Sequence, residues 1–464
     1  MSNATAAPVP STAAPPGPAS HDTRALARAR EALAIAFGPV ESRGFDVELW
    51  DGSVDGAGGA APFTLIVRRP GALRRALLPP SELGLVEAYL RDDLDAEGDL
   101  GAAGRLADIA AARLRSPRAL LGLVRALRAL PLDDDDGARA ESPTADGRRV
   151  HRGRGALMHT RGRDATAVRH HYDVGNDFYA LWLGRRSLYS CAYFPTGAED
   201  LDTAQEAKLE HICRKLRLSR GEHLLDIGCG WGGLLEYAAT RHGVSGVGIT
   251  LSEPQADAAR ARLAAAGVDD RVRIELRDYR DIPADWRFDR VVSVGMREHV
   301  GAALLPAYFA AAYGALRPGG LFLDHGIVRG GSFEQHGALT WMKRRLWKRD
   351  AFIQRYVFPD GELVPLGALL RDAERTGLEV RDVENLREHY VRTLRCWVER
   401  LERAHEEAVA LVGEHTYRVW RLYMAATTLG FGSGRLTLIQ TLLAKPLADG
   451  SVSVPTTRAD LYHQ

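Results

Sequence analysis

From Arg148 onward, short apolar runs rich in β-forming residues alternate with stretches long enough for helices, and no other feature restricts the fold of this chain as much. His223–Gly228, Val244–Thr250, Val272–Leu276, Phe288–Val294 and Gly319–Val328 read as strands. Strands that each lead into a helix-length connection predict an α/β, mostly parallel, doubly wound sheet with helices on both faces. Two later apolar stretches, Leu378–Val383 and Leu436–Leu443, flank a helical region around residues 394–430 and are expected to complete it.

With 464 residues, the chain exceeds the roughly 250–300 at which a single core stops growing, so two domains are expected. Residues 23–132 read as a small α+β domain. It opens on a helical pattern (Leu26, Leu33, Ile35, Phe37), continues through strand-like Phe45–Trp50 and Phe63–Val67, and returns to helical spacing from Leu106 to Leu127. Residues 1–22, dominated by Ala, Pro, Ser and Thr, are predicted to be a disordered tail. Residues 133–147, with four successive aspartates, read as an acidic linker to a second domain spanning 148–464.

Lys and Arg total 61 against 60 Asp and Glu, a net charge of +1. That near-neutrality argues against nucleic acid as a partner, but a sum leaves room for local basic patches. The four cysteines, Cys191, Cys213, Cys229 and Cys396, form neither a disulfide framework nor a metal-ligand spacing, so no metal is predicted. No run of about 18 apolar residues and no signal-peptide layout is present, which predicts a cytoplasmic protein with at most peripheral membrane contact.

The strongest local signal is Leu224–Gly233, LLDIGCGWGG, a strand running into a glycine-rich turn that opens a helix. Such a turn lets the backbone approach a ligand and presents the free N–H groups of a helix start. Asp226 precedes glycines at every second position, Gly228, Gly230 and Gly232, a pattern that favours S-adenosylmethionine over NAD as the ligand. No carboxylate ends the next strand, so Thr250 and Gln255 are expected to hold the ribose, beside an ordinary helix cap at Ser252. After the third strand, Asp278-Tyr279-Arg280 offers a carboxylate and a ring to bracket an adenine.

Seven motifs in order resemble the cyclopropane-fatty-acyl-phospholipid synthases and the related mycolic acid cyclopropane synthases. They are His171–Tyr179 (HYDVGNDFY), Tyr189–Phe194 (YSCAYF), the Leu224–Gly233 turn, Thr250–Gln255, Asp278–Arg280, Gly295–Gly301 (GMREHVG) and Tyr356–Gly361 (YVFPDG). The resemblance covers residues 165–464, and the N-terminal domain is similar to the family's lipid-binding domain. It implies a Rossmann-like class I methyltransferase domain over 148–464. It also implies that Tyr189, Ser190, Asp226, the turn glycines, Thr250, Gln255 and Asp278–Arg280 bind S-adenosyl-L-methionine. Cys191, Glu298, His325, Tyr390 and the backbone of Ile327 would hold a bicarbonate ion, and the protein would be a homodimer. Two positions depart from the family. Arg297 stands where Phe is usual, and Glu384 lies in a segment (VENLREH) where many members carry a His-Asn pair.

The implied reaction explains these residue types. A cis alkene is a weak nucleophile and must be held against the sulfonium methyl in a pocket that excludes water. The resulting carbocation closes to a cyclopropane once a base, the bicarbonate, removes a proton from the new methyl. His325, Tyr390 and Cys191 would donate to that anion, and Glu298 would accept its O–H. Tyr172, Tyr193 and Phe194 offer π faces to the cation. Taken singly, each residue has an ordinary reading: Cys191 as a small buried side chain, His325 as a satisfied core histidine, Glu298 as an acid at a helix start.

Basic residues concentrate in Arg105–Leu130 and Arg148–His171, and Trp341–Arg349 interleaves aromatic with basic side chains. All three suit docking on the anionic inner leaflet, where an unsaturated phospholipid would be the substrate. The alternatives are a methyl- or methylene-branched product from the same cation, or a non-catalytic lipid-binding protein with a vestigial methyltransferase domain.

Overall fold

The computed structural model describes residues 18–56, 60–131, 174–330, 351–358, 362–452 and 454–462. The acidic linker, the Arg148–His171 stretch, the Trp341–Arg349 cluster, His171–Asp173 with Tyr172, and Pro359–Gly361 lie outside the described residues. The chain divides into two compact units, Met1–Ala145 and Asp146–Gln464.

In the first unit a helix runs over Pro18–Phe37. It therefore starts inside the 1–22 segment assigned to the tail, because Pro is well suited to the first turn of a helix and the apolar spacing begins soon after. Strands β1 (Asp46–Glu48), β2 (Val54–Asp55), β3 (Phe63–Val67) and β4 (Leu94–Gly98) form a sheet in the order β2-β1-β3-β4. Phe37, Phe45 and Phe63 are buried, with the Phe45 and Phe63 rings stacked 4.8 Å apart. The Pro117–Arg128 helix, capped by Ser116, buries Leu123, Ala126 and Leu127 and leaves Leu120 and Leu121 exposed.

The second unit holds a seven-stranded sheet in the order β10-β11-β9-β8-β5-β6-β7. Its strands are β5 (His223–Ile227), β6 (Ser245–Thr250), β7 (Val272–Leu276), β8 (Phe288–Val294), β9 (Leu316–Arg329), β10 (Glu379–Asn385) and β11 (Leu436–Ala444). Only β11 runs antiparallel to its neighbours β9 and β10, so the parallel reading holds for the rest. Helices cover both faces. Leu209, Ile212, Leu235 and Leu263 close one core, and Phe309, Ala312, Leu369 and Ala373 close the other. Strand order reverses between β5 and β8, and in such sheets ligands bind beyond the carboxyl ends of the strands at that switch point. Among the described residues no helix is long and apolar enough to cross a membrane.

Candidate active site

Beyond β5 the chain turns through Gly228, Gly230 and Gly232, all at positive φ, into the Gly233–His242 helix. At Gly228 the requirement is steric as well as conformational, since a Cβ would lie 3.0 Å from Met296 Cβ. The turn floors a recess of about 980 Å³ including its open mouth, large enough for a nucleoside-sized ligand. Tyr189, Ser190, Asp226, Gly228, Gly230, Thr250, Gln255 and Tyr279 all line it. Gly232, Asp278 and Arg280 do not. The Asp278 carboxylate is already occupied by Arg280, through its backbone N–H at 2.9 Å, Nε at 2.8 Å and Nη2 at 2.6 Å. Of that tripeptide, the Tyr279 ring is what meets the recess. Thr250 Oγ1 donates to Gln255 Oε1 at 3.1 Å, and Ser252 caps the following helix. The pair expected to hold the ribose is thus joined to itself by a hydrogen bond.

A residue that sequence reasoning missed also lines this recess. Lys208 is buried on the Leu201–Leu216 helix, and its Nζ donates to Ser190 Oγ at 2.8 Å. Burial pushes the Lys208 ammonium down to about 8, with the Asp226 carboxylate acting against that fall. Burial likewise pushes Asp226 up to about 7 while Lys208 opposes it. A lysine among Leu209, Ile212 and Ala204 on one helix is the signal that could have flagged it, since unpaired lysines are rarely fully buried.

Met296 and His299, just before and at the end of the short turn Arg297–His299 that follows β8, line the wall of the recess. Glu298 therefore sits on a 3-10 turn and not at the start of a longer helix. Its Oε1 accepts the Ile327 N–H at 2.7 Å, and its Oε2 is buried with no partner among the described residues. Burial raises the Glu298 carboxyl, and the Arg297 charge and the Ile327 N–H counter that rise. His325 faces Gln440 across the β9–β11 register, and the Gln440 amide nitrogen donates to its Nδ1 at 3.0 Å. Burial drives the imidazole well below its ordinary pKa, so the ring is neutral with its proton on Nε2. That Nε2 is also buried, with no partner among the described residues.

A layer of rings packs around Tyr189. Tyr179 lies 5.6 Å away, Trp182 and Trp397 5.4 Å, and Trp420 6.1 Å. Tyr390, on the Arg387–Arg403 helix, packs on Phe431 at 4.7 Å and on Trp397 at 6.0 Å. Tyr193, assigned to the cation, is instead sandwiched between His211 at 4.2 Å and His389 at 4.8 Å. Trp182, Trp397 and Trp420 escaped the sequence reading because they come from three separate helices.

The family model for mycolic acid cyclopropane synthetase matches residues 159–441, more than half of the chain. The chain belongs to the mycolic acid cyclopropane synthetase family. A probable fatty acid methyltransferase of Pseudomonas putida is 42% identical over 90% of this chain and 95% of its own length. The cyclopropane-fatty-acyl-phospholipid synthase of Escherichia coli K12 is 38% identical over 60% of this chain and 68% of its own. Among solved structures, mycolic acid cyclopropane synthase CmaA1 complexed with SAH and CTAB superposes with a TM-score of 0.56. It is 32% identical and covers 60% of this chain and 97% of that one.

Membership in this family, on a class I methyltransferase fold, sharpens the comparison of expected and observed roles at the anion site. Of the five groups assigned to bicarbonate, Glu298 and His325 keep a free buried acceptor and a free buried donor, which suits an anion that also carries an O–H. The Ile327 N–H does not: it is already donated to Glu298. Cys191 is fully buried, and its thiol contacts the carbonyls of Ala192 at 3.2 Å and Leu386 at 3.8 Å. Burial pushes that thiol up, so it remains a neutral donor engaged with backbone.

Proposed function

We propose that this protein transfers a one-carbon unit from S-adenosylmethionine to the cis double bond of an acyl chain in a membrane phospholipid, and that the product is a cyclopropane ring. At the coarser level it is an S-adenosylmethionine-dependent methyltransferase acting on lipid. The ring-closing part of the proposal is carried by one observation, that Glu298 Oε2 and His325 Nε2 are both buried and without a partner among the described residues. The bound sulfonium supplies an electrophilic methyl, and bicarbonate held by that pair supplies a base.

The chain's own groups do the rest. Asp226, Ser190 and the Gly228–Gly230 backbone receive the amino-acid end of the donor. Thr250 with Gln255 takes the ribose, and the Tyr279 ring takes the base. The rings around Tyr189 exclude water and present π faces to a developing cation, where desolvation strengthens a cation–π contact to about 2 kcal/mol. Neutral His325 donates from Nε2, and Glu298 orients the proton acceptor.

Lipid reaches the site from a membrane surface in this reading. On the Pro117–Arg128 helix, Arg118, Leu121, Arg125 and Arg128 follow one another at helical spacing and are all exposed. Among the described residues no acidic side chain pairs with them. The acidic group upstream is occupied elsewhere: Asp93 pairs with Arg75 at 2.8 Å, and Asp92 with Arg68 at 2.7 Å. A cationic stripe that includes an exposed leucine fits anionic head groups.

A second reading, a methyl- or methylene-branched product from the same cation, is favoured by the fatty acid methyltransferase that matches 90% of the chain. Expression in a host without cyclopropane lipids, followed by mass spectrometry and proton NMR of the extracted phospholipids, separates the two. High-field ring-proton signals are expected. Branched chains without rings would overturn the first reading, and unchanged lipids would overturn both.

A further inference from the structure

Directly beside Glu298 lies a buried charge pair that the reaction described above does not use. Arg297 and Asp324 are 3% and 1% exposed, and the guanidinium is ion-paired to the Asp324 carboxylate. Asp324 also accepts the Tyr308 hydroxyl at 3.0 Å, and Arg297 Nη2 donates to the Ile327 carbonyl at 3.4 Å. The same Ile327 gives its N–H to Glu298. One residue of β9 is thus gripped at both ends, its carbonyl by Arg297 and its N–H by Glu298. Gly326 makes room for the grip, since a Cβ there would lie 2.8 Å from Arg297 Nη2.

We propose that Arg297, braced by Asp324, is a positioning residue that fixes the Glu298 carboxylate on the Ile327 backbone and so holds its second oxygen free for the reaction. The inference rests on the proposed use of Glu298. Isolated burial of two ionic groups is costly, so a pair placed here is expected to serve the carboxylate it touches through Ile327. The electrostatics run the same way. The Arg297 charge is the leading influence that opposes the burial of Glu298, while Asp324 acts weakly in the opposite sense and Tyr423, from the His405–Gly432 helix, also interacts with the carboxylate. For neighbouring His325, burial acts first, and the charges of Lys208, Arg297 and Lys215 add to it. Loss of Arg297 therefore makes both Glu298 and His325 easier to protonate, and both changes move the acid limb of activity to higher pH.

The test compares wild type with Arg297→Lys, Arg297→Met and the double variant Arg297→Met/Asp324→Asn, which avoids stranding a buried carboxylate and keeps an acceptor for Tyr308. The first readout needs no lipid. The side-chain carboxyl ¹³C signal of Glu298, identified by its disappearance in Glu298→Gln, is titrated in the full-length protein. The midpoint is expected to rise by about one pH unit in Arg297→Met, a tenfold change in proton affinity. A smaller rise in the same direction is expected in the double variant, and Arg297→Lys should recover most of the wild-type value. The second readout is the pH profile of methyl transfer to phospholipid vesicles, in which kcat falls and its acid limb moves up while KM for S-adenosylmethionine stays put. Unchanged Glu298 midpoints in the two methionine variants would overturn the inference even if wild type is active. Wild-type protein that turns over no lipid would overturn the functional reading and leave the titration to decide this one.

Discussion

At the scale of single residues, the structure separates groups that carry chemistry from groups that carry the fold. Glu298→Gln keeps the shape and the contact to Ile327 but removes the ionised acceptor. It should lower kcat by about 10²–10⁴-fold with little change in affinity for S-adenosylmethionine, measured by single-turnover methyl transfer and calorimetry. Glu384 is a residue of the other kind. Burial alone would raise its carboxyl, but the hydrogen bond from His211 at 2.7 Å and the charge of Lys215 at 2.5 Å hold it down to about 2. A lowered carboxyl pKa stabilises the fold above the ordinary carboxylate range, and that contribution disappears as pH falls toward 2. Glu384→Gln should therefore cost about 2–4 kcal/mol at pH 7 in urea unfolding, and the gap to wild type should close as pH drops below about 4. The two departures from the family pattern, Arg297 and Glu384, were visible in the sequence. Their buried partners, Asp324 on β9 and Lys215 on the Leu201–Leu216 helix, were not, because each pairing crosses between elements.

Among elements, what could be read locally was read well. β7 and β8 have the bounds that their apolar runs imply, whereas β9 begins at Leu316, three residues before Gly319, where it pairs with Phe288 of β8. The antiparallel direction of β11 had no local signature, since a buried strand is equally apolar in either direction. Much of the recess lining was legible for the same reason as the strands. Asp226, Gly228, Gly230, Thr250 and Tyr279 lie on strand ends or the turns that follow them, whereas the Glu298 side is assembled from the turn after β8, the middle of β9 and β11. Two glycines show how an element's role decides the effect of a methyl group. Gly248, within β6, would place a Cβ 2.7 Å from Leu235 Cδ1 and 2.8 Å from Cys229 Sγ. Gly230, at φ +52 with no protein atom within 4 Å of its Cβ, lines the recess. Gly248→Ala should thus lower the melting temperature by several degrees, as overpacking costs about 1–3 kcal/mol. Gly230→Ala should melt within a few degrees of wild type yet bind S-adenosylhomocysteine at least tenfold more weakly by calorimetry. Equal effects of the two on both measurements would contradict the assignment of the recess.

For the molecule as a whole, the net charge of +1 conceals an uneven distribution. Asp92, Asp93 and Asp95 pair with Arg68, Arg75 and their neighbours, so the acidic group inside the first unit neutralises the charge of arginines beside it. The Pro117–Arg128 helix is left with a cationic face that no acid on the described residues balances. If that face meets the membrane, each arginine near an anionic surface contributes about 1 kcal/mol, and the attraction shortens with the Debye length, about 10 Å at 0.1 M salt and about 3 Å at 1 M. Wild-type protein should co-sediment with vesicles containing phosphatidylglycerol at low salt and dissociate as salt rises, with weak binding to purely zwitterionic vesicles. Arg118→Ala/Arg125→Ala should bind roughly thirtyfold more weakly, the effect of losing two such contacts. These substitutions lie on an exposed face, so methyl transfer to detergent-dispersed lipid should persist while transfer to anionic vesicles falls. Identical sedimentation of wild type and variant across the salt series would remove this helix from the docking surface, because buried Leu123, Ala126 and Leu127 then account for its sequence by packing alone.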